Sequence, residues 1–203
     1  MPSKIPTTIT KKLCRIIGII HGDGNMSLSR IHITDKCLEY HKKILHPLFK
    51  DVFGIKLNLF HDRNRNSYYS HIKDKKVYKY LTENLEIPKG SVRKNLFIPN
   101  YLKNCRDDLK ASYISGLFDA ESYVSKRQAE INLSTTCKEI LMFIEEFLNK
   151  KQIKFSSRIR NRRKKPEYEI YIYGRENIKR MLKFIKIKHS EKILRLKRLS
   201  LTH

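Results

Sequence analysis

Two stretches decide the fold: Gly18-Ile19-Ile20-His21-Gly22-Asp23-Gly24 and, almost a hundred residues later, Gly116-Leu117-Phe118-Asp119-Ala120-Glu121-Ser122. In each, two small residues stand four apart, Gly18 with Gly22 and Gly116 with Ala120, and an acid follows the second of them. Residues four apart share a helix face. Each stretch therefore offers a bare stripe on which a second helix backbone can come close. Pairing the stripes puts Asp23 beside Glu121 at the ends of both helices.

The surroundings of the two stretches repeat as well. Leu13, Ile16, Ile17 and Ile20 follow helical spacing from about Thr10, a suitable N-cap. The second helix opens near Asp107 or Asp108 and carries Tyr113, Ile114, Leu117 and Phe118. An alternating stretch follows each: Ile31 and Ile33 among Arg30, His32 and Thr34, then Ala129, Ile131 and Leu133 among Gln128, Glu130, Asn132 and Ser134. One face is apolar and the other polar, as in a sheet covered on one side. A helix comes next (Leu38, His41, Ile44, Leu45, Leu48; Ile140, Leu141, Ile144, Phe147, Leu148), then a basic hairpin (Lys56 to Ile72; Lys154 to Tyr173), then another helix (near Lys75 to Asn84; near Glu176 to Lys186). Pro88, Gly90 and Pro99 mark a linker, and a basic helix from about Ser190 to Leu201 closes the chain.

The expected fold class is thus α+β. Two pseudo-symmetric units, 1–87 and 107–203, are joined by a linker, 88–106, and packed like a homodimer fused into one chain. Their polar sheet faces would line one basic saddle.

Charge narrows the partner. Lysine and arginine number 44 against 20 acids, a net charge of +24, in a chain whose 40% hydrophobic content is enough for a packed core. Self-repulsion on that scale calls for a polyanion, nucleic acid first and an anionic membrane surface second. No apolar run approaches the roughly 20 residues of a membrane span, and the first ten residues lack the pattern of a signal peptide. An intracellular place is expected, cytoplasmic in a prokaryote and organellar or nuclear otherwise. Cys14, Cys37, Cys105 and Cys137 lack finger spacing, and the eight histidines show no HExxH, so reduced buried thiols and no structural zinc are expected.

Two carboxylates at two helix C-termini repel each other and the helix dipoles. A divalent cation removes the conflict. Oxygen-only ligation suits Mg²⁺, which typically takes one or two carboxylates with waters and phosphate oxygens; Mn²⁺ or Ca²⁺ is expected to substitute for binding.

At these residues the chain resembles a known family. Ile17 to Gly24 is similar to the LAGLIDADG motif, and Ile114 to Ser122 is similar to a second copy. The resemblance, to single-chain, two-motif homing endonucleases, implies αββαββα units with the motif helices between the halves and the last acid of each motif on metal. It makes Asp23 and Glu121 the catalytic acids, with Gly22 and Ala120 beside them in the metal site. Three positions depart from the motif: His21 stands where its first acid usually lies, Ser122 replaces its final glycine, and Glu121 replaces aspartate. A longer acid in one half leads to the expectation that the two strands are cut at unequal rates.

The resemblance also implies a polar residue after the first strand, Asp35 or Thr135, and a basic residue near the start of the helix after the last strand. Lys73 matches in the first unit, with His71 as an off-register rival; Tyr171 or Tyr173 stands there in the second. Arg158, Arg160 and Arg162 alternate and share one strand face. A two-stranded ribbon fits the DNA major groove, where arginine reads guanine. Lys164 and Lys165 suit phosphates. A solvated hairpin or a nuclear-targeting cluster are the other readings of this run. Arg30, His32, Lys56, Asn58, Arg63 and Arg65 are the first unit's DNA candidates; Gln128, Glu130 and Asn132 extend the second's.

The expected protein is a monomeric, Mg²⁺-dependent, intron-encoded endonuclease for a long asymmetric duplex. The alternatives are a maturase binding intron RNA and a DNA-binding regulator without cleavage.

Overall fold

The structure is a computed structural model and describes residues 3–92, 95–161 and 166–201. Helix α1 (Lys11–Asp23) starts where the Thr10 side chain accepts the Leu13 N–H at 3.3 Å. Every residue from Leu13 to Gly22 is buried, Arg15 and His21 included, so α1 is a central helix and not an amphipathic surface one. Its repeat partner, α5 (Asp107–Glu121), opens with two acids at its positive end and is buried from Tyr113 to Asp119.

The first unit continues through β1 (Gly24–Ser27), β2 (Arg30–Asp35), α2 (38–53), β3 (Asn58–Asp62), β4 (Ser67–Ile72) and α3 (75–84). The middle of α2, His41–Leu45, is wound as a π-helix. Between the units lie β5 (Gly90–Ser91) and α4 (Asn100–Lys103). The second unit follows α5 with β6 (Ser122–Val124), β7 (Glu130–Thr135), α6 (Lys138–Lys150), β8 (Ser156–Arg160), β9 (Glu167–Tyr173), α7 (Arg175–Phe184) and α8 (Ser190–Leu201).

Each unit folds around an antiparallel sheet. The first has the order β3-β4-β2-β1-β5 and the second β8-β9-β7-β6, the same order without the fifth strand. The segment between the units thus adds a strand to the first sheet, with Asn25 opposite Ser91. Met26, Ile31, Ile33 and Ile72 point inward from one sheet and Val124, Ile131, Leu133, Ile170 and Ile172 from the other, all buried. Register sets Asn25, His32, His71 and Asn58 in one row across the outward face. The matching row is Tyr123, Asn132, Tyr171 and Ser156.

The architecture is the duplicated α+β one expected from the repeat. Each motif helix passes directly into a strand, because Gly24 (φ −85, ψ 150) and Ser122 (φ −82, ψ 152) are already extended. The Gly24 N–H still donates to the Ile20 carbonyl, so little is lost at the junction.

Candidate active site and nucleic-acid interface

The site begins with the contact between α1 and α5. A β-carbon placed on Gly18 would lie 2.1 Å from the Tyr113 carbonyl oxygen and 2.9 Å from the Leu117 nitrogen. On Gly116 it would lie 2.2 Å from the Arg15 carbonyl oxygen and 3.0 Å from the Ile19 nitrogen. Arg15 and Tyr113, Ile19 and Leu117, and Gly18 and Gly116 all differ by the same 98 residues. The two glycine contacts are therefore one contact seen from both sides of a pseudo-two-fold axis. Lower down, a β-carbon on Gly22 would meet Ala120 Cβ at 2.4 Å and Glu121 Cγ at 3.0 Å.

Asp23 and Glu121, again 98 apart, are the last residues of the two helices, and both are half-buried. The Glu121 carboxylate reaches back over Gly22: its Oε1 lies 3.6 Å from where that β-carbon would stand. Each acid precedes a strand whose next-but-one residue, Asn25 or Tyr123, belongs to the outward row of its sheet.

Lys192 of α8 completes this centre. Its side chain is buried, and Nζ donates to the carbonyls of Phe118 (2.9 Å), Asp119 (2.5 Å) and Ala120 (3.1 Å), the exposed negative end of α5. Burial pulls its pKa down, while the carboxylates of Asp23, Asp119, Asp35 and Glu121 work against that pull. The ammonium thus lies within electrostatic reach of both motif acids.

The buried polar groups of α1 and α5 pair across the same axis. Arg15 forms an ion pair with Asp119, which also accepts the N–H groups of Lys188 (2.6 Å) and His189 (3.1 Å). At the symmetry-related place, His21 Nδ1 and the Tyr113 hydroxyl are 2.9 Å apart. Burial depresses the His21 pKa to about 3, so its ring is neutral.

The other expected residues divide. Asp35 Oδ1 accepts the Cys37 N–H at 2.5 Å, and Thr135 Oγ1 accepts the Cys137 N–H at 3.2 Å, so the two close matched two-residue turns between a strand and the helix after it. Asp35 also bonds His189 Nε2 at 3.2 Å. Burial works to raise the Asp35 pKa, but the His189 contact and the Cys37 N–H leave it below its usual value. Lys73 is exposed at the end of β4. It lies three residues beyond Ser70, the β4 residue in the Gly24 row, which is about 10 Å along a strand.

Arg30, His32 and Asn132 are partly exposed on the outward faces, and Lys56, Asn58, Arg63 and Arg65 are exposed. His32 and His71 stack at 4.8 Å. Glu130 is held by Gln128 at 2.6 Å. Arg158 and Arg160 lie on the outward face of β8, each against Glu169. Arg162 and Lys164 lie outside the described residues, with the rest of 162–165.

Sequence reasoning missed Arg15, Asp119, Tyr113, Lys192 and Glu169. Only Asp119 carried a signal, as the acid that occupies the second repeat where His21 occupies the first.

Two duplicated units on one antiparallel sheet each, joined through glycine-lined helices that end in acids, define a paired-motif fold. Residues 108–186 match the family model described as a LAGLIDADG-like domain, and the chain has the fold of two pseudo-symmetric LAGLIDADG units. The chain resembles mesophilic variants of the homing endonuclease I-DmoI, with TM-score 0.64 and 19% identity over 87% of this chain and 96% of that one. It resembles I-DmoI in complex with DNA and Mn to the same TM-score of 0.64, at 18% identity over 90% and 99%. Full-length DUF199/WhiA from Thermatoga maritima has TM-score 0.64 at 13% identity, over 97% of this chain and 62% of that one. In sequence, 147 residues are 33% identical to glutamine–fructose-6-phosphate aminotransferase (isomerizing) of Methanocaldococcus jannaschii, covering 71% of this chain but only 13% of that protein. No helix among the described residues is long and apolar enough to cross a membrane.

Proposed function

We propose that this protein is a divalent-metal-dependent endonuclease that hydrolyses both strands of a long, asymmetric DNA duplex. One observation carries the reading: the Gly18–Gly116 crossing presses α1 and α5 together, and the Glu121 side chain packs over Gly22, the residue before Asp23. The donors there, two carboxylates and the last helix carbonyls, are all hard oxygens, which fits Mg²⁺. The Ala120 oxygen also accepts Lys192 Nζ at 3.1 Å. Gly22 with Asp23 and Ala120 with Glu121 would hold the ion, and a bound ion would supply charge neutralisation and water activation.

The chain's own part is positional. The sheet faces hold the duplex, mostly through phosphates. Asp23 and Glu121 each face one strand. Lys192 keeps the paired acids from repelling before metal and DNA arrive, and Lys73 suits a phosphate contact. The named DNA complexes of I-DmoI, with Mn, Mg and Ca, support duplex DNA and divalent metal as partners. Monomeric action and intron-borne mobility belong to the same proposal.

The test is cleavage of the joined DNA flanks of its reading frame, with Mg²⁺ and with EDTA. Cutting by the wild type only with Mg²⁺, and none by Asp23→Asn or Glu121→Gln despite retained binding, is expected. Normal cutting by either variant would refute the site.

A second reading has one observation in its favour. Buried Lys192 holds the Phe118, Asp119 and Ala120 carbonyls at the end of the helix that carries Glu121, so a cation is resident there without metal, which suits a DNA-binding regulator without cleavage. It predicts binding that ignores EDTA and no cleavage of any duplex.

A further inference from the structure

Glu169 is a carboxylate on the outward face of the second sheet. Alternation along β9 sets Glu169, Tyr171 and Tyr173 on that face, opposite Arg158 and Ser156 of β8. A negative charge there opposes phosphate, so a DNA-binding face gains nothing from it unless it acts on another group. Glu169 is only 8% exposed, and its donors are specific. Its Oε2 accepts the Tyr171 hydroxyl at 2.7 Å and lies 2.7 Å from Arg160 Nε and 3.7 Å from Arg158 Nε. Arg160 closes the ring by donating from NH2 to the Tyr171 oxygen at 2.8 Å. The Arg158 guanidinium lies 4.0 Å over the Tyr171 ring. Arg160 is thus held at Nε and NH2, while Arg158 stays in ion-pair range of the same carboxylate with its guanidinium laid over the Tyr171 ring.

Among the described residues the first sheet has no such device. Where Arg158 faces Glu169, the equivalent pair is Phe60 and Tyr69, stacked at 5.2 Å. Where Tyr171 stands, the first sheet has His71 against His32. The two outward faces are therefore chemically unlike, one aromatic and one built on braced arginines.

We infer that Glu169, with Tyr171, is a positioning residue that aims Arg158 and Arg160 at guanine edges in the half-site beneath the second sheet, and that this half-site alone is read in that way. The inference rests on the duplex-binding reading above. Its physical basis is that bidentate recognition needs a fixed guanidinium plane, and a carboxylate at the Nε edge fixes it. The bracing lowers net positive charge, so it gives up some phosphate attraction for discrimination.

The experiment is selection from a duplex library randomised across the site. It uses the full chain in Ca²⁺ at fixed salt, so that binding is read without cutting. Wild type should select guanines in one half only. Glu169→Gln should lower preference at those positions by about tenfold each, the scale of one bidentate base contact. The other half should keep its preferences, and affinity for competitor DNA should hold or rise. Tyr171→Phe, which removes only the bridging hydroxyl, should weaken the same positions less. Should Glu169→Gln fail to fold by thermal melt, Tyr171→Phe alone decides.

Unchanged guanine preference in a folded Glu169→Gln protein overturns the inference, as does an equal loss in both halves. Guanine selection that survives Arg158→Ala with Arg160→Ala overturns it too. Selection of no sequence by wild type overturns the duplex-binding reading itself and is a separate outcome.

Discussion

Arg15 and Asp119 form a buried ion pair between α1 and α5, and their pseudo-two-fold mates, Tyr113 and His21, form a neutral hydrogen bond in the same place. One axis therefore carries a charged side and an uncharged side. The charged side is also tied to the chain beyond α7: Asp119 accepts two backbone N–H groups from Lys188 and His189, and Arg15 donates to the Lys186 carbonyl at 2.7 Å. Removing one charge leaves the other buried without its counterion, which typically costs about 3–5 kcal/mol. Asp119→Asn and Arg15→Met should each lose stability on that scale in urea unfolding. Arg15→Met with Asp119→Leu should recover part of the loss. Single variants as stable as wild type would show that the pair is not needed.

The neutral side gives a pH prediction. His21 has a folded pKa near 3 against an ordinary value of 6.5. The unfolded chain therefore takes up a proton that the folded chain refuses. The contribution to stability is complete above pH 6.5 and falls as pH drops from there toward 3. At pH 5 the loss should reach about 2 kcal/mol relative to neutral pH. In His21→Gln this component vanishes, so the difference in unfolding free energy between pH 7 and pH 5 should shrink by about that amount. An equal pH slope in both proteins would mean His21 is protonated in the fold.

Helix contact and cutting can be separated at the glycines. Gly18→Ala and Gly116→Ala push a methyl into a backbone carbonyl, at 2.1 and 2.2 Å, which cannot yield without moving a helix. A loss of about 3 kcal/mol, at the upper end for overpacking, is expected for each in urea unfolding. Gly22→Ala instead meets side-chain atoms, Ala120 Cβ at 2.4 Å and Glu121 Cγ at 3.0 Å. It should cost less stability but displace the Glu121 carboxylate, so cutting falls more than DNA binding does. Ala120→Gly in the same protein removes the obstructing methyl and should restore much of the cutting. No rescue would mean that the obstruction is not at Ala120.

These glycines were legible in the sequence because their four-residue spacing recurs beside an acid in both repeats, and spacing is a property of one helix at a time. The same holds for Thr10, whose capping role needs only the residues after it. The short strands β1 and β6 were not legible: three or four residues are too few for alternation to show, and both begin directly at a helix end. Arg15 was hidden for another reason. A charged residue in an apolar helix reads as solvent-facing until its partner, a hundred residues away, is placed against it. Lys192 sits in a basic terminal helix where every lysine looks solvated, and only the position of α5 makes this one a cap. Asp35 and Thr135 were noticed as polar residues after a strand, but their matched bonds to Cys37 and Cys137 N–H belong to the turns before the next helices.

Lys192 leads to the last prediction. Its ammonium holds three carbonyls at the end of α5 and feels both motif acids. Lys192→Met removes the donor and the charge while keeping most of the side-chain length. Three carbonyls then lose a partner, and a fall in stability of about 1–3 kcal/mol is expected. The acids lose a neighbouring positive charge, so a divalent ion should be held more tightly. The Mg²⁺ concentration for half-maximal cutting should drop on the order of tenfold, the scale of one unit charge a few ångströms away in a partly wet site. The comparison is a Mg²⁺ titration of initial cleavage rate for both proteins at one salt concentration. An unchanged midpoint would place Lys192 outside the electrostatics of the centre and leave it only as a helix cap. A higher midpoint would mean that Lys192 orders the acids for the metal and does not compete with it.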